Sequence, residues 1–250
     1  MIPKIIHQTW KNNTIPTKWK EYHQTWKNKF PEPEYKHILW TDEDNRKFIK
    51  DNYEWFLKTY DNYPKNIQRA DAIRYFILYH YGGIYADLDC EVRENFYNDL
   101  THDNINLAAS PYGPGGKMNN LMASDKKNEK WKLVFDELEK RKKIPGTMSS
   151  TGPSVLDSLE NNEIRLLDVD NFNPLKKRPW WRHHIENTFF LTLDEKASRN
   201  WDKAKVVHHG TESWAYEEIT HGIKNNILLI LFIIILIVSV IYYYKKKYLI

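Results

Sequence analysis

Asp87 and Asp89 stand two residues apart in the run Ile84-Tyr85-Ala86-Asp87-Leu88-Asp89. In an extended segment, side chains at i and i+2 share a face, so the two carboxylates can converge on one hard cation through oxygen. Left without a cation they would repel each other, and one would tend to stay protonated. Mg²⁺ or Mn²⁺ held by one or two carboxylates takes its remaining ligands from water and phosphate oxygens, so the chemistry this pair offers is the gripping of a diphosphate. The spacing by itself is weak, because such an acidic pair is as readily a solvated turn. Asp71 and Arg74, three apart on one helical face, add context. They read either as an ion pair tying a helix down or as a carboxylate and a guanidinium aimed at hydroxyls and phosphate of the guest.

The elements that must position these groups lie within residues 67–91. Ile67, Ala70, Ile73, Phe76, Ile77 and Leu78 make a helix apolar on nearly every side, which belongs in a core. Gly82-Gly83 ends it, and Ile84, Tyr85 and Ala86 have the character of a buried strand that runs straight into the acidic pair. Upstream, residues 4–10 read as a first strand with a polar and aromatic end. Ligands of open α/β sheets gather at the carboxyl ends of strands, so His7, Gln8, Thr9 and Trp10 are placed for a nucleotide. His7 reads equally as a hydrogen-bonded core histidine. Residues 16–30 form a helix with Trp19, Tyr22, His23 and Trp26 on one side, residues 35–40 a second strand, and Thr41 with Asp42 a helix start. Residues 106–110 are a strand, 111–116 a Pro/Gly-rich loop, and 119–124 lead into a helix over 129–142. Thr151-Gly152-Pro153 begins a short helix whose free amides could take a phosphate or a sugar hydroxyl. Residues 164–169 are another strand. A closing strand delivers His208 or His209 as a third, imidazole ligand, which Mn²⁺ accepts more readily than Mg²⁺.

The run R-A-D-A-x-R-Y-x-x-L-x-x-Y-G-G-I-Y-A-D-x-D over residues 69–89 resembles the signature of the DXD-containing glycosyltransferases, the family of inositol-phosphoceramide mannosyltransferases with capsular-polysaccharide and viral relatives. The opening I-P-K-I-I-H-Q-T-W, the T-G-P at 151–153 and the H-H-x-x-x-S-W at 208–214 extend the likeness. The resemblance implies an α/β, Rossmann-like nucleotide-sugar-binding domain of the GT-A type, a nucleoside-diphosphate sugar as donor, Mn²⁺ or Mg²⁺ as cofactor, and retention of anomeric configuration. It implies further that Asp87, Asp89 and His208 hold the metal, with His208 preferred to His209. Asp71 and Arg74 act on the donor, His7, Gln8, Thr9, Trp10 and Gly152 border the nucleotide, and Ser213 and Trp214 close over the diphosphate. The transferred sugar is expected to be a hexose, mannose first, and the acceptor a glycan or glycolipid. Residues 173–184 have no counterpart in the family pattern and leave the acceptor open.

Lys and Arg number 37 against 33 Asp and Glu, a formal charge of +4. So mild a balance, with lysines scattered, argues against a dedicated nucleic-acid binder. The single cysteine, Cys90, excludes a disulfide framework within the chain and reads as a small buried strand residue rather than a nucleophile. Residues 1–6 are too short and too soon polar for a secretory signal. Residues 227–244 carry no charge, close to the ~20 residues that cross a ~30 Å hydrocarbon layer. A tyrosine belt at 242–244 and lysines at 245–247 follow. The expected organisation is a catalytic domain over 1–216, a linker over 217–226, a transmembrane helix over 227–244 and a basic tail over 245–250. A tail anchor leaves the domain on the cytosolic side, although the lysines favour the opposite orientation. Two rival functions stay open: a catalytically silent, membrane-anchored sugar-binding protein of the same fold, and a D-x-D phosphatase. The phosphatase motif wants Thr or Val where this chain has Glu91.

Overall fold

The structure is a computed structural model, and its description covers residues 1–111, 115–174 and 203–210. All of these lie in one compact unit, Met1–Gly210; the second unit, Thr211–Ile250, holds the expected linker and transmembrane helix, which fall outside the described residues. Among the described residues no helix is long and apolar enough to cross a membrane.

The unit is a mixed α/β layer structure around a six-stranded sheet. Its strands are β1 (Ile5–Thr9), β2 (Lys36–Trp40), β3 (Gly83–Ala86), β5 (Ile105–Ala109), β6 (Lys117–Ser124) and β7 (Ile164–Leu167), in the order β2-β1-β3-β6-β5-β7. β1 runs parallel to β2 and β3, β5 runs parallel to β7, and β6 runs antiparallel to both its neighbours. β4 (Cys90–Val92) and β8 (Val206–His208) form a separate antiparallel ribbon. The sequence pattern had residues 119–124 merely leading into a helix. They form part of the eight-residue central strand β6, buried along most of its length, and a strand covered on both faces shows no polar-apolar alternation to read.

Helices cover both faces. On one lie α2 (Asp42–Asn52), α3 (Glu54–Asn62), α4 (Asn66–Tyr81) and α5 (Trp131–Arg141), whose buried side chains Phe48, Phe56, Phe76 and Phe135 form one core with Tyr85 of the sheet. On the other, α1 (Thr17–Lys29) sends Trp26 into a second core with Ile6, Ile84, Ala86, Cys90 and Val206. α4 is buried from Asp71 through Leu78, the burial its all-round apolar sequence requires. Gly82 then turns the chain at φ +65°, where an added Cβ would stand 2.5 Å from the Lys126 amide nitrogen. A glycine is the residue that this backbone conformation and this closeness admit.

Candidate active site at the carboxyl edge of the sheet

β3 alternates sides: Ile84 and Ala86 face the α1 core and Tyr85 the α4 core. Asp87 follows on the α4 side. The chain does not stay extended through the acidic pair. A turn closed by Cys90 N–H donating to Asp87 O (3.0 Å) pivots on buried Leu88, so Asp87 and Asp89 do not share one face of an extended strand, as their i, i+2 spacing predicts. The turn carries Asp89 toward β8, while Asp87 stays close enough to feel the charge of both Asp89 and His208.

Asp87 belongs to a buried network. Tyr85 Oη donates to Asp87 Oδ1 (2.9 Å) and shares a 2.9 Å hydrogen bond with Thr9 Oγ1 from β1. Arg74 Nη1 lies 3.2 Å from Asp87 Oδ1, donates to Asn119 O (2.8 Å), and the guanidinium sits 4.9 Å from the Tyr85 ring centroid. Its Nη2 lies 2.8 Å from Asp71 Oδ1. Asp71 is also bound by Asn119 Nδ2 (3.2 Å) and Thr151 Oγ1 (3.4 Å). Burial pushes Asp71 up to about 6 against the pull of Arg74. Burial also raises Asp87, with Arg74 opposing and the neighbouring Asp89 adding to the rise. The Arg74 charge is favoured, because Asp87, Tyr85 and Asp71 together outweigh the cost of its burial. Asp71 and Arg74 are thus buried, and the guanidinium bridges the Asp71 and Asp87 carboxylates. Asn119, which ties both together, lies in the N-x-x-M-A-S run at 119–124, whose resemblance to the family marks Asn119 and Asn120 as candidates near donor and acceptor.

Asp89 faces β8. Cys90 pairs with His208 in the β4–β8 register, which brings His208 Nε2 to 3.3 Å from Asp89 Oδ1. The ligand atoms of Asp89, Cys90 and His208 all lie within 4.8 Å of one another, and Asp87 is not a member of that group. Two ligands at right angles, each about 2.1 Å from a metal, stand about 3 Å apart, so the Asp89–His208 spacing fits a first-row divalent cation. The Cys90 thiol is pushed well up by burial and engages Asn120 O (3.6 Å), so it is a neutral core group. His209 turns away: its Nε2 is 3.0 Å from Glu91 Oε2. Of the two imidazoles, that of His208 is the one set against the Asp89 carboxylate, and that of His209 the one set against Glu91.

The nucleotide-bordering residues separate into two groups. His7 is fully buried; its Nε2 lies 3.0 Å from Gly82 O and its Nδ1 accepts from Trp40 Nε1 (3.1 Å). Both ring nitrogens are occupied in the neutral form, and burial holds the imidazole down to about 4. Thr9 works through Tyr85, as above. Gln8 and Trp10 lie on the opposite side of β1, toward α1. Gln8 Oε1 meets His23 Nδ1 at 2.6 Å and Trp10 packs edge-on against Trp19 at 4.6 Å. Gln8 Nε2, Trp10 Nε1 and Trp19 Nε1 are buried donors without a hydrogen-bond partner among the described residues. Trp19 and His23, read from the sequence as part of one side of the helix over 16–30, are brought by packing against Trp10 and Gln8. The Gly152 amide donates to Thr147 O (2.9 Å) and is not available to a phosphate. A Cβ there would lie 2.8 Å from Met148 Cα, so Gly152 serves close packing. Ser213 and Trp214 lie outside the described residues.

Comparison with known proteins adds to this geometry. Residues 16–107 match the family described as glycosyltransferase sugar-binding region containing DXD motif. Inositol phosphoceramide mannosyltransferase 2 of Schizosaccharomyces pombe is 37% identical over 226 residues, covering 86% of this chain and 63% of that protein. The mannosyl phosphorylinositol ceramide synthase SUR1 of Saccharomyces cerevisiae is 44% identical over 212 residues, covering 83% of this chain and 54% of that protein. The chain thus spans between half and two thirds of the length of these relatives. Of solved structures, the PaToxG glycosyltransferase gives a TM-score of 0.49 at 22% identity, covering 63% of this chain and 69% of that one.

Proposed function

We propose that this chain, whose residues 16–107 match the family described as glycosyltransferase sugar-binding region containing DXD motif, moves a hexose, with retention, from a nucleoside-diphosphate sugar to a hydroxyl of a glycolipid or glycan. The GT-A type of fold is part of the proposal. The relatives named for mannosyl transfer and for inositol phosphoceramide support mannose as the sugar and a phosphoinositol-bearing ceramide as the acceptor. An anchor through residues 227–244 would hold the enzyme at the membrane that contains such a lipid.

The observation that carries the reading is the 3.3 Å approach of His208 Nε2 to Asp89 Oδ1, at the carboxyl edge of the sheet and one turn away from Asp87. Asp89 and His208 would hold Mn²⁺, with Asp87 completing the acidic pair. The cation, when bound, supplies positive charge to the departing diphosphate. The residues of the chain prepare that place. Arg74 and Tyr85 orient Asp87, and Asp71 with Asn119 fixes Arg74. The donors Gln8 Nε2, Trp10 Nε1 and Trp19 Nε1, which have no partner among the described residues, would offer hydrogen bonds to acceptor atoms of the donor nucleotide, since a buried donor left unpaired costs about 1–3 kcal/mol.

The test is hydrolysis and transfer of nucleotide sugars, GDP-mannose first, with and without Mn²⁺, in wild type and Asp89→Asn. Turnover that needs the cation in wild type and falls about 100-fold or more in the variant, with an unchanged circular dichroism spectrum, is expected. Wild-type rates in the variant would sink the assignment.

A further inference from the structure

His208 is delivered by a ribbon of two three-residue strands, too short to fix its own register by backbone pairing alone. The brace comes from α1. Tyr22, Thr25 and Trp26 form one stripe of that helix at i, i+3, i+4 spacing, and all three reach the ribbon. Thr25 Oγ1 accepts from Val92 N–H (3.0 Å), and Trp26 Nε1 donates to Cys90 O (2.8 Å). Tyr22 stacks on the His209 ring, with centroids 4.1 Å apart and planes at 8°. The other end of the imidazole meets Glu91 (3.0 Å), whose carboxylate is also held by Arg93 Nε (3.0 Å). The His209 amide donates to Asp89 O (3.0 Å), so the same residue ties the turn that bears Asp89 to the strand that bears His208.

We propose that His209 is a positioning residue for the cation: clamped between the Tyr22 ring and the Glu91 carboxylate, it locks β8 against the Asp89 turn and so sets the Asp89–His208 donor pair at binding distance. This rests on the proposed metal reading and assigns roles to Tyr22, Glu91 and His209 that the acidic motif does not contain. The clamp acts on the binding of the ion, so its removal weakens metal affinity and leaves the strand cores intact.

The test is Mn²⁺ binding alone, followed by electron paramagnetic resonance titration of the full chain, with thermal melts as a fold check. Wild type binds, His208→Ala abolishes binding, and His209→Ala weakens it about 10–100-fold, the range expected when an outer partner of a metal ligand is lost. Tyr22→Ala weakens binding in the same direction and Tyr22→Phe, which keeps the stacked ring, restores it. This pair keeps the inference testable where His209→Ala fails to fold. Unchanged affinity in His209→Ala and Tyr22→Ala overturns the clamp while leaving the metal site standing. Complete loss in His209→Ala, equal to His208→Ala with the fold intact, makes His209 a ligand and also overturns it. A wild type that does not bind Mn²⁺ overturns the metal reading itself, and the clamp with it.

Discussion

Arg74 shows how a single buried charge can organise a site. Its side chain is 4% exposed, and an isolated guanidinium at that depth would be prohibitively costly. It is tolerated because Asp71 and Asp87 flank it and the Asn119 carbonyl accepts from it. His7 solves the same problem the other way, by staying neutral. Its Nδ1 must accept from Trp40, so a protonated ring would break that bond as well as carry charge into the core. The folded imidazole titrates at about 4 against about 6.5 unfolded. The unfolded chain therefore binds more protons between those values, and stability present above pH 6.5 is lost as pH falls toward 4. The loss should reach about 3 kcal/mol, read as a drop in urea midpoint from pH 7 to pH 4. In His7→Asn, which cannot titrate, that component of the slope should vanish; an unchanged slope would mean that other groups cause it.

At the scale of elements, two junctions set where the site forms. Helix α4 must stop one residue before β3 so that Asp87 emerges level with Thr9 on β1. Gly82 does this at φ +65°, with Lys126 N and Pro3 Cδ 2.5 and 2.7 Å from where a Cβ would stand. Backbone strain and a clash against backbone atoms predict that Gly82→Ala costs about 2–4 kcal/mol, measured by chemical denaturation; a cost below 1 kcal/mol would show that the junction gives way easily. Helix α2 begins with a reciprocal capping box. Thr41 Oγ1 accepts from Asp44 N (3.1 Å) and Asp44 Oδ2 accepts from Thr41 N (3.0 Å). Thr41→Ala should cost about 1 kcal/mol of stability with donor hydrolysis unchanged, and a loss of activity at full stability would mean that Thr41 touches substrate.

For the whole molecule, the sheet divides the labour between its two faces. The α4 face carries the network around Asp87, and the α1 face carries the ribbon that brings His208 to Asp89. Residues 227–244 lie outside the described residues, and their charge-free run is argued from hydropathy and length. Membranes from cells expressing the full chain should keep it through alkaline carbonate washing, whereas deletion of residues 227–244 should release it. Release of the full chain under the same wash would remove the anchor from the proposal.

The amino-acid sequence by itself determined the buried helix α4, its termination at Gly82-Gly83, the strand that follows and the presence of an acidic pair at that strand's end. These are local matters, written in the period of apolar residues and in the backbone freedom of glycine. Through resemblance it also marked His208, ahead of His209, as the expected third ligand. Only the tertiary structure decided that a turn, not an extended strand, joins Asp87 to Asp89, that the Gly152 amide and both His7 nitrogens are already occupied, and that residues 117–124 run through the middle of the sheet. Each of these depends on which distant segment arrives next to which; Glu91 and His209 meet across 118 residues. A pairing across such a distance is selected by how the layers close over one another, and no local period in the chain records it.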